Sequence, residues 1–235
     1  MDVAEIMTGL QANGSESIKK ILLKHGVKEP FFGVKVEYLK TIQKKVKKDY
    51  RLANDLFATG NADAMYLAGL IADDEKMTKA DLQTWVNGAV SNNISEYTVP
   101  WVAVGSLYGF DLALEWIDDS REYVAAAGWS VLANMVALKP DNELNIEALR
   151  GLLNRVEQTI HSSVNRVCYQ MNAFIISAGT YVAALAHDAI AAANKIGTVT
   201  VDKNGTACKV PSAVDYIKKA RDKGGVVVKK KTVKC

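Results

Sequence analysis

The sequence predicts an all-α fold. Only four prolines occur in 235 residues, and few alternating runs of Val, Ile and Thr precede Gly197. Proline disrupts helix interiors and such alternation is typical of strands, so the scarcity of both favours helices. Apolar residues instead recur three or four positions apart in segments of about ten residues, which indicates amphipathic helices. The composition, 49% apolar and 23% charged, is that of a globular protein.

Successive helices can be bounded by their caps, their apolar stripes and the glycines that follow them. Gly14 and Gly26 end the first two helices, and Ser15 is placed to cap the second. The third has an apolar stripe made of Leu39, Ile42, Val46 and Tyr50. Further helices are predicted near Leu52–Thr59, Ala62–Ala72, Lys79–Val90, Val99–Tyr108, Asp111–Asp118, Glu122–Leu138 and Asn145–Thr159. Thr78 and Asp81 have the spacing of a capping box.

Short helices joined by short polar turns continue to Thr159, a pattern typical of HEAT-like antiparallel helical repeats in a curved solenoid. The repeats have no fixed period, so a helical bundle is the alternative interpretation. Ser177 and Gly179 are expected to interrupt the helical segment that precedes them, and Thr180 is placed to cap a later helix that runs to about Ile196. We therefore expect a helical-repeat domain at residues 1–196 and a C-terminal extension at 197–235.

The extension begins with a different pattern. Residues 198–202 alternate so that two valines share one face, and a Lys203-Asn204-Gly205 turn follows. This pattern predicts a small β-hairpin or an extended segment. A last helix is predicted at Ser212–Arg221, and Gly224-Gly225 separates it from a basic tail. The extension contains Cys208 and Cys235, which would approach each other if the tail paired with the valine segment.

Residues Ser162–Ala186 form the longest apolar-rich segment, although Arg166, Gln170 and Asn172 interrupt it. Arg166 and Gln170 lie four residues apart, so they share one face of a helix. A charged side chain in such a segment must reach water, an acid or an anion. The segment is therefore either a core helix with a satisfied arginine, or a helix that borders a polar cleft at Gln170, Met171 and Asn172.

The net charge of +3 is unevenly distributed. Lys19–Arg51 contains 11 Lys and Arg against three acids, and Tyr216–Cys235 contains eight against one. Within the first block, a basic ridge lies opposite the apolar stripe of the third helix and consists of Lys40, Lys44, Lys47 and Lys48. The second block includes the tail residues Lys229, Lys230 and Lys231. Two basic blocks on an acidic body suggest a polyanionic partner, and solvated faces with a disordered tail are the alternative.

Several classes of protein do not fit the sequence. It contains no apolar run long enough for a transmembrane helix, and its acidic N-terminus is unlike a secretory signal. Three cysteines suit a reducing compartment better than a disulfide framework. We therefore expect a cytoplasmic protein without a membrane partner. The three histidines lack ligand spacing and no glycine-rich phosphate loop occurs, so we expect no metal and no cofactor. The oligomeric state is left open.

Three stretches resemble the DNA alkylation repair family: GVKVEYLKTIQKKVKKDY at residues 33–50, AMYLAGLIAD at residues 64–73 and RVCYQMNAF at residues 166–174. The closing TACKVPSAVDYIKKA and KKKTVKC resemble a subgroup of that family. The resemblance covers most of the chain, although no single motif is highly specific. It implies HEAT-like helical repeats and a double-stranded DNA partner, since the best-known members are glycosylases that excise alkylated purines.

In those glycosylases, an aspartate, two tryptophans and an arginine line a cleft. The Trp-x-x-x-Asp spacing of the family falls on Tyr97-Thr-Val-Pro-Trp101, which keeps an aromatic residue at Tyr97 but replaces the acid with Trp101. The second tryptophan falls at Met171, and the arginine falls near Ala125–Ala126. Arg166 matches another arginine of the family. A fixed carboxylate would stabilise the cationic transition state of base excision, and Trp101 provides none; Trp101 could equally pack in a first helical turn that Thr98 caps.

Three functional hypotheses follow. The first is a DNA-binding helical-repeat protein that recognises damaged or distorted DNA and has lost or altered base excision. The second is an active alkylpurine glycosylase with a relocated acid, for which Asp111, Asp118 and Asp119 are candidates. The third is a protein-interaction solenoid. We favour the first, with DNA contacts at the basic ridge, Tyr97, Trp101, Arg166 and the tail lysines.

Overall fold

A computed structural model describes residues 1–206, 209–222 and 227–235. These residues contain thirteen α-helices and no β-strand, which confirms the predicted all-α class. The first seven helices are α1 (Val3–Ala12), α2 (Glu16–Lys24), α3 (Val36–Val46), α4 (Tyr50–Phe57), α5 (Ala62–Ile71), α6 (Lys79–Gly88) and α7 (Val99–Gly105). The others are α8 (Gly109–Trp116), α9 (Glu122–Leu138), α10 (Ile146–Thr159), α11 (Asn165–Tyr181), α12 (Ala186–Ile196) and α13 (Ala213–Arg221).

The predicted β-hairpin or extended segment after Gly197 is not supported. Residues 197–203 are irregular and lead into a turn at Asn204 and Gly205. Val199 and Val201 are both buried, so the alternation did identify the inward side chains. A strand also needs a neighbouring strand for its backbone groups. Here the Asn165 side chain takes that role, because its Nδ2 donates to the Asp202 carbonyl at 2.9 Å and its Oδ1 accepts from the Asp202 amide at 2.7 Å.

The described residues form two compact units. The first contains Met1–Leu112 together with Lys203–Thr206 and Lys234–Cys235. Within it, α5 packs against α3, α4 and α7 and is buried along most of its length. Phe57 of α4 and Trp85 of α6 stack with their ring centroids 4.2 Å apart. Helix α5 thus contacts both α3 and α7, and these three helices form one layer of the first unit.

The second unit contains Ala113–Asp202 and the described residues between 209 and 233. Its centre is the pair of long helices α9 and α11, in which Trp129 and Phe174 are in ring contact at 5.5 Å. Thr180 lies inside α11 and does not cap the next helix, which begins at Ala186 after a short 3-10 turn. Gly179 does not break α11 either: a Cβ there would lie 2.5 Å from Ile217, so the glycine permits close packing of α13.

Two further helix ends differ from the prediction. Helix α3 ends at Val46 rather than continuing to Tyr50, because Lys47 has a φ of 64° and the Asp49 carboxylate caps α4 by accepting from the Leu52 amide. Before α7, residues Ile94–Thr98 form a π-helical turn, and Thr98 has a helical backbone conformation and no capping hydrogen bond from its side chain. Such turns interrupt helices more often at functional positions than elsewhere.

Among the described residues, no single helix combines the length and apolar character needed to cross a membrane. The helices Asn165–Tyr181 and Ala183–Ile196 together meet those two criteria, but they are bent by 118° with respect to each other.

Candidate nucleic-acid interface

The basic ridge lies on α3 and at its C-terminal end. Lys40 is half-buried, whereas Lys44, Lys47 and Lys48 are exposed. Lys40 and Lys44 are one helical turn apart, Lys47 caps the helix end, and Lys48 lies beyond it. The Lys48 ammonium is 3.7 Å from the Asp73 carboxylate, but its side chain is 62% exposed, so solvent weakens this ion pair. Only part of the ridge is therefore helical, because the backbone leaves the helix at Lys47.

The entry to α3 is fixed by one buried carboxylate. Asp63, in the first turn of α5, accepts hydrogen bonds from the backbone amides of Phe32, Gly33 and Val34 at 2.6, 3.0 and 3.2 Å. Burial raises the pKa of the Asp63 carboxyl, and the three amides oppose that rise. The loop before α3 is thereby attached to α5, which positions the basic ridge relative to the next helix of the layer.

An aromatic cluster of Tyr66, Tyr97 and Trp101 lies where α5 packs against α7 and the π-helical turn before it. The Tyr66 ring on α5 meets the Trp101 ring edge-on at 5.2 Å, and the Tyr97 ring is 6.1 Å from that of Trp101. Tyr97 is 48% exposed, whereas Trp101 is only 5% exposed. The side chain of Cys235 lies beside the Tyr66 hydroxyl. Burial, and then the neighbouring Cys235 side chain, raise the pKa of Tyr66 above its ordinary value.

At position 101, where the family resemblance places an acid, the structure has the buried indole ring of Trp101. Trp101 packs between the two tyrosines, and only the half-exposed Tyr97 presents a large face to solvent. This arrangement offers the Tyr97 ring as a stacking surface for a planar group. Tyr97 and Trp101 are in ring contact, and the predicted contact of each with DNA stays a prediction.

In the second unit, Ala125 and Met171 line one cavity of about 190 Å³. These are the positions at which the family resemblance places an arginine and the second tryptophan. Arg155 lines the same cavity, but its guanidinium is bound to the Asp118 carboxylate at 2.6 Å and lies 5.8 Å from the Trp129 ring. The cavity is thus lined by Arg155 of α10, whose positive charge is neutralised by Asp118 of the same unit.

The three candidate acids differ in their surroundings. Asp111 is exposed in the first turn of α8, and Asp118 is paired with Arg155. Asp119 lines the cavity, where Arg121 donates to it at 2.6 and 2.9 Å. The hydrogen bond from Arg121 lowers the pKa of the Asp119 carboxyl. Since the charges of Asp118 and Asp119 are already compensated by arginines, neither resembles an unpaired carboxylate placed for catalysis.

The polar residues of α11 mainly hold other segments of the second unit. The Arg166 backbone amide donates a hydrogen bond to the Glu122 carboxylate at 2.7 Å, and the Arg166 guanidinium lies 4.7 Å from the Tyr169 ring. Asn172 is buried and donates to the Pro211 carbonyl at 2.9 Å. Gln170 and Met171 are buried as well. Of these residues, only Met171 lines the cavity that contains Ala125.

The tail lysines contact the protein itself. Lys229 donates to the Val136 carbonyl at 2.8 Å and pairs with Asp141 at 2.7 Å. The Lys230 amide donates to the Ala137 carbonyl at 2.8 Å. Lys231 is exposed. The proposed approach of Cys235 to Cys208, and the joint at Gly224-Gly225, involve positions outside the described residues.

Sequence reasoning missed Tyr66, Asp63 and Arg155. Tyr66 and Asp63 fall in the apolar helix α5, where a tyrosine and an acid are themselves a signal, since an acid in such a helix needs donors. Arg155 lies on the regular amphipathic helix α10, and nothing in its local pattern distinguishes it from a surface arginine.

The family described as DNA alkylation repair enzyme matches residues 6–217. The uncharacterized proteins Lin0241 of Listeria innocua and Lmo0209 of Listeria monocytogenes are each 32% identical over 225 residues, which cover 93% of this chain and 97% of the relative. One solved structure is described as a new family of proteins related to the HEAT-like repeat DNA glycosylases with affinity for branched DNA structures.

That solved structure has a TM-score of 0.91 and 35% sequence identity, and the match covers 100% of both chains. The likeness confirms the HEAT-like repeat fold that the helix pattern predicts. The family match spans all but the first few residues and the C-terminal segment. The chain is therefore a member of the DNA alkylation repair enzyme family.

Proposed function

We propose that this protein binds double-stranded DNA, with a preference for branched or distorted forms, and does not excise bases. The observation that carries the proposal is that α5 packs against α3, which carries the basic ridge, and also against α7, where the aromatic cluster lies. A solved relative that matches the whole chain is described as having affinity for branched DNA, which supports the same function.

The two parts of the layer suit different features of DNA. The ammonium groups of the basic ridge can neutralise phosphates and release counterions, which gives affinity without sequence preference. The half-exposed Tyr97 ring offers a face on which an unstacked base can stack. Bases are unstacked more readily at branch points and distortions than in a regular duplex. The combination therefore favours branched or distorted DNA over regular duplex.

The proposed absence of base excision rests on the residue that stands where the family resemblance places the acid. Cleavage of the bond between an alkylated purine and its sugar develops positive charge on the sugar, which a preorganised carboxylate stabilises. Trp101 occupies the expected position of that acid and is buried. In the second unit, Asp118 and Asp119 are neutralised by Arg155 and Arg121.

We accordingly expect no release of N-methylpurines from alkylated DNA. The measurement is chromatography of free bases after incubation of methylated duplex with the protein. The rate should equal that of the same DNA without protein. A clearly faster release would instead support a relocated acid, and Asp119→Asn and Asp111→Asn variants would then identify it.

DNA binding itself is tested by fluorescence anisotropy with a four-way junction and a linear duplex of equal length, each at several salt concentrations. We expect tighter binding to the junction and a logarithm of the association constant that falls linearly with the logarithm of the salt concentration. Absence of salt-dependent binding to either DNA would favour the protein-interaction hypothesis instead.

Tyr97→Ala should weaken junction binding by about 1–3 kcal/mol, the range found when one aromatic stacking partner of a base is removed. Stability should change little, because about half of the Tyr97 side chain is exposed. Tyr216→Ala is the matched control, since Tyr216 is also exposed but lies on α13. Equal losses in the two variants would remove Tyr97 from the interface.

We also propose that residues 197–235 form an extension that folds onto the helical-repeat domain. Support comes from α11, whose Asn165 and Asn172 bind the backbone of Asp202 and Pro211. Arg221 of α13 donates to the Gly179 carbonyl at 2.6 Å. The oligomeric state is a separate matter, on which this proposal does not depend.

A further inference from the structure

Three basic side chains of the C-terminal segment lie at the C-terminal ends of other helices. Arg221 donates to the Gly179 and Val182 carbonyls at the end of α11. Lys229 donates to the Val136 carbonyl at the end of α9, and Lys234 donates to the Ala72 carbonyl at the end of α5. The last carbonyls of a helix have no partner within the helix and carry partial negative charge, so they attract cations.

At two of these ends an aspartate completes the site. Asp141 lies in the 3-10 turn directly after α9 and binds the Lys229 ammonium at 2.7 Å. Asp74 lies in the corresponding 3-10 turn after α5 and binds the Lys234 ammonium at 2.6 Å. Each site thus consists of a helix-end carbonyl and a carboxylate that converge on one ammonium group. We call them the α9 lysine site and the α5 lysine site.

Both ammonium groups are well shielded. The Lys229 and Lys234 side chains are 21% and 17% exposed, against 62% for Lys48 on the basic ridge. The α5 lysine site is also tightly packed, since a Cβ on Gly105 would approach the Asp74 carboxylate to 2.5 Å. An ion pair in such surroundings is screened less by salt than one at the surface.

The last residue extends this arrangement to the aromatic cluster. Cys235 follows Lys234 directly, and its side chain lies beside the Tyr66 hydroxyl. Tyr66 is the residue whose ring meets Trp101 edge-on. When Lys234 occupies the α5 lysine site, the chain end is therefore held against the cluster at which we propose that DNA binds.

We propose that the α5 and α9 lysine sites make the tail, residues 227–235, an intramolecular competitor of DNA. This inference rests on the proposed DNA-binding function. In the closed state, Lys229 and Lys234 are bound by protein carbonyls and carboxylates and do not neutralise phosphates. In the open state, both ammonium groups are available to the DNA backbone, and the chain end leaves Tyr66. The tail then lowers DNA affinity while closed and adds to it once released.

The test removes the acids and keeps the lysines. The double variant Asp74→Asn/Asp141→Asn removes the negative charge from both lysine sites. It keeps the ammonium groups of Lys229 and Lys234, which stay available for phosphates. Lys229→Gln/Lys234→Gln is the matched variant, because it opens the tail without supplying cations. Two readouts are needed: hydrogen exchange of the peptide that covers residues 227–235 without DNA, and the salt dependence of junction binding.

We expect faster exchange of the tail in both double variants. Only Asp74→Asn/Asp141→Asn should show a steeper salt slope of DNA binding, by about 1.8, since each phosphate neutralised adds about 0.9. If circular dichroism shows that this variant is misfolded, Asp141→Asn alone serves, because the Asp141 side chain is 43% exposed. Its slope should then rise by about 0.9.

Unchanged exchange in the Asp→Asn variant would show that the lysine sites do not hold the tail, and would overturn the inference. Faster exchange with a salt slope equal to that of the wild-type protein would overturn the competition with DNA. If the wild-type protein bound no DNA, the proposed function and the competition would both fail, whereas the exchange readout would still report on the lysine sites. The failures of the two proposals are thereby distinguishable.

Discussion

Replacement of Asp63 by alanine is expected to lower the free energy of unfolding by about 3–5 kcal/mol, a large part of the total for a protein of this size. The carboxylate is buried and accepts from three consecutive backbone amides, those of Phe32, Gly33 and Val34. Alanine would leave all three donors without an acceptor, and each unsatisfied buried group costs about 1–3 kcal/mol.

Asp63→Asn separates the hydrogen bonds from the charge. An asparagine can keep its oxygen toward Phe32 and Gly33, but its NH₂ group would then face the Val34 amide, and two donors would oppose each other. We therefore expect an intermediate loss. Asp55→Ala is the control, since Asp55 is an exposed acid on the neighbouring helix α4. Urea unfolding followed by circular dichroism measures all three, and a loss at Asp63 no larger than at Asp55 would contradict the role of the carboxylate.

Helix positions that depend on local sequence were predicted well. The bounds predicted for α9, Glu122–Leu138, are those observed. The capping box before α6 is present, with the Thr78 hydroxyl accepting from the Asp81 amide and the Asp81 carboxylate accepting from the Thr78 amide. Caps and apolar stripes involve residues within one or two helical turns, so their interactions can be inferred from spacing.

Positions that depend on distant residues were predicted poorly. Gly179 looked like a helix break, but it allows Ile217, 38 positions later, to pack against α11. The alternation around Val199 looked like a strand, but the side chain of Asn165 binds the backbone that a second strand would have bound. In each case the pattern can be recognised in the local sequence. The distant residue that determines the structure of the segment, Ile217 or Asn165, cannot.

The candidate site shows the same division. The basic ridge was predicted because Lys40 and Lys44 lie on one helix and oppose its apolar stripe. Tyr66 joins the aromatic cluster only through the packing of α5 against α7, which no local pattern reveals. The charge of the tail suggested a polyanion, but a count of charges cannot tell an external phosphate from the internal carboxylates of Asp74 and Asp141.

The largest effect on DNA binding is expected when all four residues of the basic ridge are replaced by glutamine. Glutamine keeps much of the side-chain length and removes the charge, so the fold should be retained. If each of the four ammonium groups neutralises one phosphate, the salt slope should become shallower by about 3.6, at about 0.9 per phosphate. Affinity should fall similarly for junction and duplex, because phosphate contacts do not distinguish sequences.

The control for this variant removes the same charge elsewhere, through replacement of Lys20, Lys24, Lys218 and Lys219 by glutamine. These lysines are exposed on α2 and α13, outside the α3, α5 and α7 layer. If only net charge mattered, both variants would weaken DNA binding equally. If the ridge contacts phosphates, the salt slope should become much shallower in the ridge variant than in the control. The four ridge positions need not contribute equally, since Lys48 must also leave its pair with Asp73 before it can neutralise a phosphate. An unchanged slope in the ridge variant would show that DNA does not contact α3.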